Sequence, residues 1–207
     1  MRIIAGEFKS RPIYSPPDEG TRPMPDRVKE SVFSILRGHC EGARVADFFS
    51  GTGTVGLEAI SRGAVECVFV EKRREVARIL EANIEMLGAG ERAQVVVGDA
   101  LGIGAISRVT PGTHLIFMDP PYAMMEDPAQ RRRVLSAASK LVERLDPKGY
   151  LLLRTPSPLL DTAPSGEKSE VSLRIEGARG PETHDYRGTA VHFYVREDAP
   201  GDESGGE

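Results

Sequence analysis

The stretch Gly51-Thr52-Gly53-Thr54-Val55-Gly56 constrains the fold most, because of what flanks it. Before it, Arg44 to Phe49 is an apolar run of strand length. After it, Leu57 to Arg62 carries a helical pattern that Gly63 ends. A G-x-G-x-x-G turn joining a strand to a helix is the phosphate- or nucleotide-facing corner of a parallel sheet. The same alternation continues. Val65 to Val70 reads as a second strand closing with Glu71, and Arg73 to Leu87 as a helix with Val76, Ile79, Leu80, Ile84 and Leu87 on one face, stopped by Gly88. Ala93 to Val97 is a third strand leading into Gly98-Asp99-Ala100. His114 to Met118 is a fourth, Asp127 to Leu145 a helix, and Gly149 to Leu153 a fifth strand. Val171 to Ile175 and Ala190 to Arg196 alternate in polarity and complete the expected sheet, with Arg179 to Gly188 as a long loop between them. Such alternation gives an α/β sandwich with a largely parallel sheet.

Acids recur at the strand ends, the edge where open α/β sheets bind ligands. Asp47 lies in the first strand, four residues before Gly51, placed to organise the turn and to meet a cationic amino group. Glu71, followed by Lys72, lies about twenty residues past the turn, in reach of a ribose hydroxyl pair. Asp99, beside Ala100, can meet an adenine amino group. Asp119 ends the fourth strand. The turn itself, with Ser50, Gly51, Gly53 and Gly56, fits any adenosine-containing cofactor, including NAD. The acids favour S-adenosylmethionine, and no His or Lys stands where a dehydrogenase would need a proton-transfer group.

The tetrapeptide Asp119-Pro120-Pro121-Tyr122 carries the chemistry. Two prolines forbid both helix and further strand pairing, so Asp119 sits at a strand tip beside a rigid backbone carbonyl and an aromatic ring. An exocyclic amine on a base is a poor nucleophile because its lone pair is delocalised into the ring. If Asp119 and the Pro120 carbonyl each accept one N–H, the nitrogen is drawn towards tetrahedral geometry and can attack a methyl group in line. Stacking on Tyr122 would hold the base with ~1–3 kcal/mol, and proximity would supply most of the rate. An Asp-Pro turn without function is the competing reading of the tetrapeptide alone.

The chain has 207 residues, enough for one sizeable core. Its net charge is −4, but residues 197 to 207 hold five acids and no base, leaving 27 basic against 26 acidic residues elsewhere. Local patches therefore matter more than the total. Cys40 and Cys67 are too few for a disulfide framework, and His39, His114, His184 and His192 are scattered, so no metal is expected. The opening Met1 to Gly6 is too short for a signal peptide and no run reaches membrane-spanning length, so the protein is expected in the cytoplasm, without a membrane partner. The first 24 residues read as an irregular arm carrying Arg2, Lys9, Arg11 and Arg22 among Phe8 and Tyr14, a composition that suits RNA phosphates and unstacked bases. A helix from Pro25 to about Gly38 follows, with Val28, Val32, Ile35 and Leu36 inward and Arg27, Lys29 and Arg37 solvated. Asn83 reads as a local hydrogen-bonding residue and Arg131-Arg132-Arg133 as a solvated run. The expected organisation is an arm and helix over residues 1–38, a catalytic domain over 39–196 and a disordered acidic tail over 197–207.

Three stretches together resemble the bacterial 16S ribosomal RNA guanine-N2 methyltransferases: Asp47 to Gly53, Gly56 to Ala64, and Asp119 to Tyr122. The opening is similar to that family too, in Arg2 to Gly6, Thr21-Arg22-Pro23 and Asp26 to Phe33. The resemblance covers roughly residues 1 to 196. It implies a class I S-adenosylmethionine-dependent methyltransferase fold, Rossmann-like, with helices on both faces of a seven-stranded, mostly parallel sheet whose last strand is antiparallel. It further implies that Gly51 and Gly53 let the backbone approach the donor, that Glu71 takes its ribose and that Asp99 contacts its adenine. Asp119, Pro120 and Tyr122 would handle the guanine amine, and Thr21 and Arg22 would shape the donor and RNA entrance. The implied substrate is 16S rRNA or the small ribosomal subunit, and the chain is expected to work as a monomer. Met24 stands where the family usually has Thr, and Arg154-Thr155-Pro156 where an acid is common, departures expected to affect the rim. An adenine-N6 DNA methyltransferase would use the same tetrapeptide, although no stretch is left for a DNA-recognition domain. An NAD-linked oxidoreductase and a non-catalytic nucleotide-binding module also remain open.

Overall fold

Along the central strands, alternate residues face opposite sides, and each side is covered by helices. The computed structural model describes residues 1–15, 24–163 and 165–200. Strands β1 (Arg44–Phe48), β2 (Glu66–Glu71), β3 (Ala93–Val97), β4 (Thr113–Met118) and β5 (Leu145–Pro156) run parallel. A separate antiparallel ribbon of β6 (Leu160–Thr162) and β7 (Lys168–Glu170) follows, then β8 (Ala178–Tyr186) and β9 (Thr189–Arg196). The main sheet has seven strands in the order β3-β2-β1-β4-β5-β9-β8, with β9 antiparallel to both its neighbours. This is the expected mostly parallel sheet with an antiparallel last strand.

One face packs Val45, Cys67, Phe69, Leu115 and Phe117 under α1 (Asp26–Ile35), α2 (Thr54–Ser61) and α3 (Arg74–Leu87). The other packs Ala46, Phe48, Val68, Ile116 and Met118 under α4 (Ile103–Ile106), α5 (Tyr122–Glu126) and α6 (Pro128–Val142). Strands buried on both faces read as the continuous apolar runs seen in the sequence. Helix α3 stops at Gly88, in the left-handed conformation with φ +70°. Helix α6 starts at Asp127, whose side chain accepts the Gln130 N–H, with proline at its first position. None of the helices is long and apolar enough to cross a membrane among the described residues.

Several expectations are corrected. Val171 to Ile175 is not a strand, and the expected loop from Arg179 to Gly188 is largely β8. Leu173 and Ile175 instead tuck under the sheet, where the Tyr194 hydroxyl donates to the Leu173 carbonyl at 2.7 Å. The Gly180-Pro181 pair, inside the expected loop, sits in a register shift between Arg179 and Glu182, which an edge strand tolerates. Helix α1 ends at Ile35, which is exposed. Lys29, expected in solvent, is 1% exposed because it reaches Glu58 (3.5 Å) and the Arg2 carbonyl (2.9 Å). Arg131 is likewise buried: it donates to the Met125 carbonyl and to both carboxylate oxygens of Asp161.

The arm is not irregular throughout. Residues 1–13 fold back on themselves through an Arg2–Pro12 bridge and the Ile3–Arg11 and Ile13–Met1 backbone bonds. Ile3, Phe8 and Ile13 are buried on the helical layer, which removes Phe8 as a stacking ring for bases, whereas Tyr14 stays exposed. Asn83 is not local. It bridges the Tyr14 backbone and the Thr52 carbonyl and so ties arm, α3 and glycine turn together. At the other end, Glu197 donates to the Gly177 carbonyl and Ala199 accepts from Arg179, so the start of the expected tail is held on the body. Residues 201–207 lie outside the described residues.

Candidate active site

The ladder register brings the functional strand ends level. Phe48 of β1 pairs with Val70 of β2 on one side and Met118 of β4 on the other, and Met118 pairs with Leu153 of β5. Four consecutive strands thus present Phe49-Ser50-Gly51, Glu71, Asp119 and Arg154 along one edge. The strand order reverses at β1, and there lies a cavity of about 980 Å³, large enough for a nucleoside-sized ligand with room for a second group.

The turn after β1 is shaped for close approach. Phe49 holds φ +62°, the left-handed region that a bulky side chain rarely adopts. Gly51 follows at φ +54°, and a Cβ added there would meet only open space. Gly51 thus lets a ligand reach the backbone. Gly53 and Gly56 do other work. Neither lines the cavity, and a Cβ would fall 2.4 Å from Leu80 Cδ1 at Gly53 and 2.3 Å from the Phe69 ring at Gly56. Gly56 lets α2 sit close to β2, the part the third glycine plays in such turns, and Gly53, at φ +84°, leaves room for Leu80 of α3.

The acids divide between building the site and facing it. Asp47 is 1% exposed and accepts the Gly56 N–H at 2.9 Å. Burial lifts its carboxyl to about 7, the Gly56 N–H opposes this, and the charges of Asp119 and Glu71 add to it. Glu71 accepts the Gly51 N–H (3.0 Å) and the Arg73 N–H (2.8 Å), which leaves lone pairs for ribose hydroxyls. Asp99, half-exposed, caps the Leu101 N–H and lies 3.8 Å from the Lys72 ammonium, with Ala100 beside it in the wall. Ser50 Oγ is buried at the cavity wall, and it alone among the buried side-chain polar atoms of the described residues has no hydrogen-bond partner. A buried hydroxyl without a partner, a glycine open to the cavity and a carboxylate ready to pair with an ammonium fit S-adenosylmethionine well.

At the end of β4, the neighbour of β1, the tetrapeptide lines the same cavity. The Asp119 N–H donates to the Phe48 carbonyl, closing the strand. Pro121 then caps α5, whose first residue is Tyr122. Burial raises the Asp119 carboxyl, and Arg154 opposes that: its Nε donates to Oδ1 at 2.6 Å and its guanidinium lies 5.3 Å from the Tyr122 ring centroid. The sequence suggests the rim for Arg154, and the structure puts it at the centre.

Asp47, Ser50, Gly51, Glu71, Lys72, Asp99, Ala100, Asp119, Pro120, Pro121 and Tyr122 therefore share one cavity. Arg2, Lys9 and Arg11 do not line it: Arg2 pairs with Asp26 and Arg11 donates to the Met86 carbonyl. Thr21 and Arg22 lie outside the described residues. Sequence reasoning missed Arg133 and Gln130, brought to the wall by α6, and Arg154. Arg154 lies one residue past the Met118–Leu153 pair of the β4–β5 ladder, a register that no single sequence run signals. Among the described residues no group of three His, Cys, Asp or Glu side chains is placed to hold a metal ion.

The family model described as conserved hypothetical protein 95 matches residues 1–158. The protein YlbH of Bacillus subtilis (strain 168), provisionally named an rRNA methyltransferase, is 37% identical over 123 residues, 59% of this chain and 67% of its own. Ribosomal RNA small subunit methyltransferase D of Escherichia coli (strain K12) is 36% identical over 143 residues, 69% of this chain and 67% of its own. Among solved structures, yhhF from Escherichia coli, provisionally described as a methyltransferase, superposes with TM-score 0.74 at 26% identity, over 97% of this chain and 99% of its own.

Proposed function

Since the chain belongs to the conserved hypothetical protein 95 family, we propose that it transfers a methyl group from S-adenosylmethionine to ribosomal RNA, specifically to the exocyclic N2 of a guanine in 16S rRNA. The observation that carries this reading is that Asp119, Pro120 and Tyr122 line one cavity together with Asp47, Glu71 and Asp99. The names of the relatives support ribosomal RNA as the substrate. The amine acceptors at the β4 tip support an exocyclic amine as the target.

When bound, S-adenosylmethionine supplies an electrophilic methyl group. Asp47 and the unpartnered Ser50 hydroxyl would hold its amino-acid part, Glu71 its ribose and Asp99 its adenine amine, with Gly51 giving backbone access. Asp119 and the Pro120 carbonyl accept the two N–H groups of the target amine, while Tyr122 stacks on the base. The base leaves its stack first, because a paired amine is out of reach. Pro121 keeps the carbonyl of Pro120 rigid. The proposed enzyme works as a monomer in the cytoplasm, without a metal, on 16S rRNA or the small subunit. Arg2, Lys9 and Arg11, with Thr21 and Arg22, would contact the RNA outside the cavity.

The test is tritiated methyl transfer to small ribosomal subunits, naked 16S rRNA and unmethylated DNA, followed by nucleoside analysis. The expected product is N2-methylguanosine in ribosomal RNA. N6-methyladenine in DNA would overturn the reading.

A further inference from the structure

Taking Asp119 as the amine acceptor, which rests on the function proposed above, we propose that Arg154 is a positioning residue that fixes the acceptor carboxylate and the stacking ring in one geometry. One guanidinium touches both: Nε donates to Asp119 Oδ1 at 2.6 Å, and its carbon lies 5.3 Å from the Tyr122 centroid. The side chain is only 6% exposed, so these interactions are made inside the protein and not through a mobile surface arm.

The backbone that carries Arg154 is itself held. Arg154 pairs with Val191 across the β5–β9 ladder, and the next residue, Thr155, accepts from Thr189 through its carbonyl and meets His192 Nε2 through its hydroxyl. A rigid platform on β5 thus sets two groups that β4 and α5 deliver. An aspartate has two side-chain rotors and would sample several orientations. A short, charge-assisted bond to one oxygen removes that freedom. A carboxylate has about four lone-pair sites, so the bond to Arg154 leaves acceptor capacity for an amine N–H. The guanidinium also counters the burial that pushes Asp119 towards its protonated form, in which it would lose acceptor sites. A planar guanidinium lying over Tyr122 fixes the plane of the ring on which the base stacks. Amine and base thereby meet the donor at a set angle, and misplacements of about an ångström at such a site cost on the order of 100-fold.

The test compares Arg154→Ala and Arg154→Lys with wild type, using 16S rRNA lacking its methyl groups. It measures kcat and KM for RNA, S-adenosylhomocysteine affinity by calorimetry, and rescue by ethylguanidinium. Both variants should lose about 100-fold in kcat, since lysine keeps the charge but neither the fork nor the stacking face. S-adenosylhomocysteine affinity should stay within about twofold, and ethylguanidinium should restore about tenfold in the alanine variant but nothing in Asp119→Ala. An unchanged or raised kcat would mean that Arg154 is a plug that substrate displaces, and would overturn the proposal. So would a loss confined to KM, which marks an RNA-binding role, or a parallel loss of S-adenosylhomocysteine affinity, which marks a general pocket role. If the alanine variant does not fold, the lysine variant decides by the same criteria. A wild type that methylates another position removes the guanine-N2 assignment but leaves the Arg154 comparison intact, and a wild type inactive on every RNA removes both.

Discussion

The Asp47 carboxylate accepts the Gly56 N–H at 2.9 Å, tying the end of β1 to the first turn of α2 across the glycine turn. The bond orders the turn, but it leaves a carboxyl that burial, with Asp119 and Glu71, has lifted to about 7. A cationic amino group arriving beside it favours the ionised form, so binding releases a proton wherever free Asp47 is protonated. The affinity for S-adenosylhomocysteine should therefore fall as pH drops below about 7, approaching tenfold per pH unit. Calorimetry from pH 5.5 to 8.5 checks this, and a flat profile would remove Asp47 as the partner of the amino group.

Asp119→Ala should reduce turnover by at least about 100-fold while changing S-adenosylhomocysteine affinity only a few-fold, because in the proposed reaction its carboxylate acts chiefly on the target amine. Single-turnover methylation with matched binding isotherms separates the two. Retained turnover would sink the assigned role.

The strand ends explain how much of this site is legible in the sequence. Turn and strand ends were readable because Gly51, Glu71, Asp99 and Asp119 each interrupt an apolar run, and local sequence reports local interruption. What stayed hidden depends on neighbours far along the chain. Lys29 is a helix-surface residue by periodicity, yet Glu58 and the Arg2 carbonyl draw it inside. Arg131 looks like one of three solvated arginines until Asp161, on a ribbon the sequence did not suggest, closes on it. Strand β8 carries Gly180-Pro181, so its propensity argues for a loop, and only the need of β9 for an outer partner makes it a strand. Arg154 belongs with these: its place beside Asp119 follows from register between strands, which no single run contains.

The arm should detach if Glu58 is removed. Glu58 is fully buried and accepts from the Ile4 N–H (2.7 Å), the Ala5 N–H (3.0 Å) and Arg62 Nε (2.8 Å), besides facing Lys29. Glu58→Ala leaves the buried Lys29 ammonium without its counter-charge and the Ile4 and Ala5 N–H groups without their acceptor, at a cost of about 3–5 kcal/mol. Gly6→Ala should act on the same junction, since at φ +83° a Cβ would lie 1.8 Å from the Ser61 carbonyl oxygen. Urea denaturation gives the first number. Hydrogen exchange should show faster exchange at Ile4, Ala5 and Glu7 in both variants than in the strands, and equal protection throughout would contradict the anchoring role.

Replacing Arg2, Lys9 and Arg11 together should weaken binding to 16S rRNA and flatten its dependence on salt, since each phosphate that is no longer neutralised takes close to one unit off the slope of log K against log salt. Fluorescence anisotropy at several salt concentrations measures both. Arg2 and Arg11 already have protein partners, Asp26 and the Met86 carbonyl. A variant with unchanged affinity at low salt would assign those two to holding the arm and take the arm out of RNA binding.

Two buried groups pull stability in opposite directions with pH. Burial lowers His192, held between Thr155 and Thr183, to about 4, and Asp185 opposes this. A neutral histidine in the folded state gives stability that is full above about 6.5 and lost as pH falls towards 4, because the unfolded chain takes up the proton first. Asp47 works the other way. Its folded value near 7 lies above the unfolded 3.8, so the native state holds the extra proton and stability falls as pH rises from about 4 to 7, by ~4 kcal/mol at most. Asp119, also raised, adds to the sign of Asp47. Without ligand, Asp47→Asn should thus gain on wild type steadily between pH 4 and 7 and hold a constant advantage above. His192→Gln, destabilised at pH 7, should close its gap to wild type as pH falls from 6.5 to 4. Urea midpoints at half-unit intervals read both differences directly, and a pH-independent gap in either variant would mean that the substituted group does not titrate in that range.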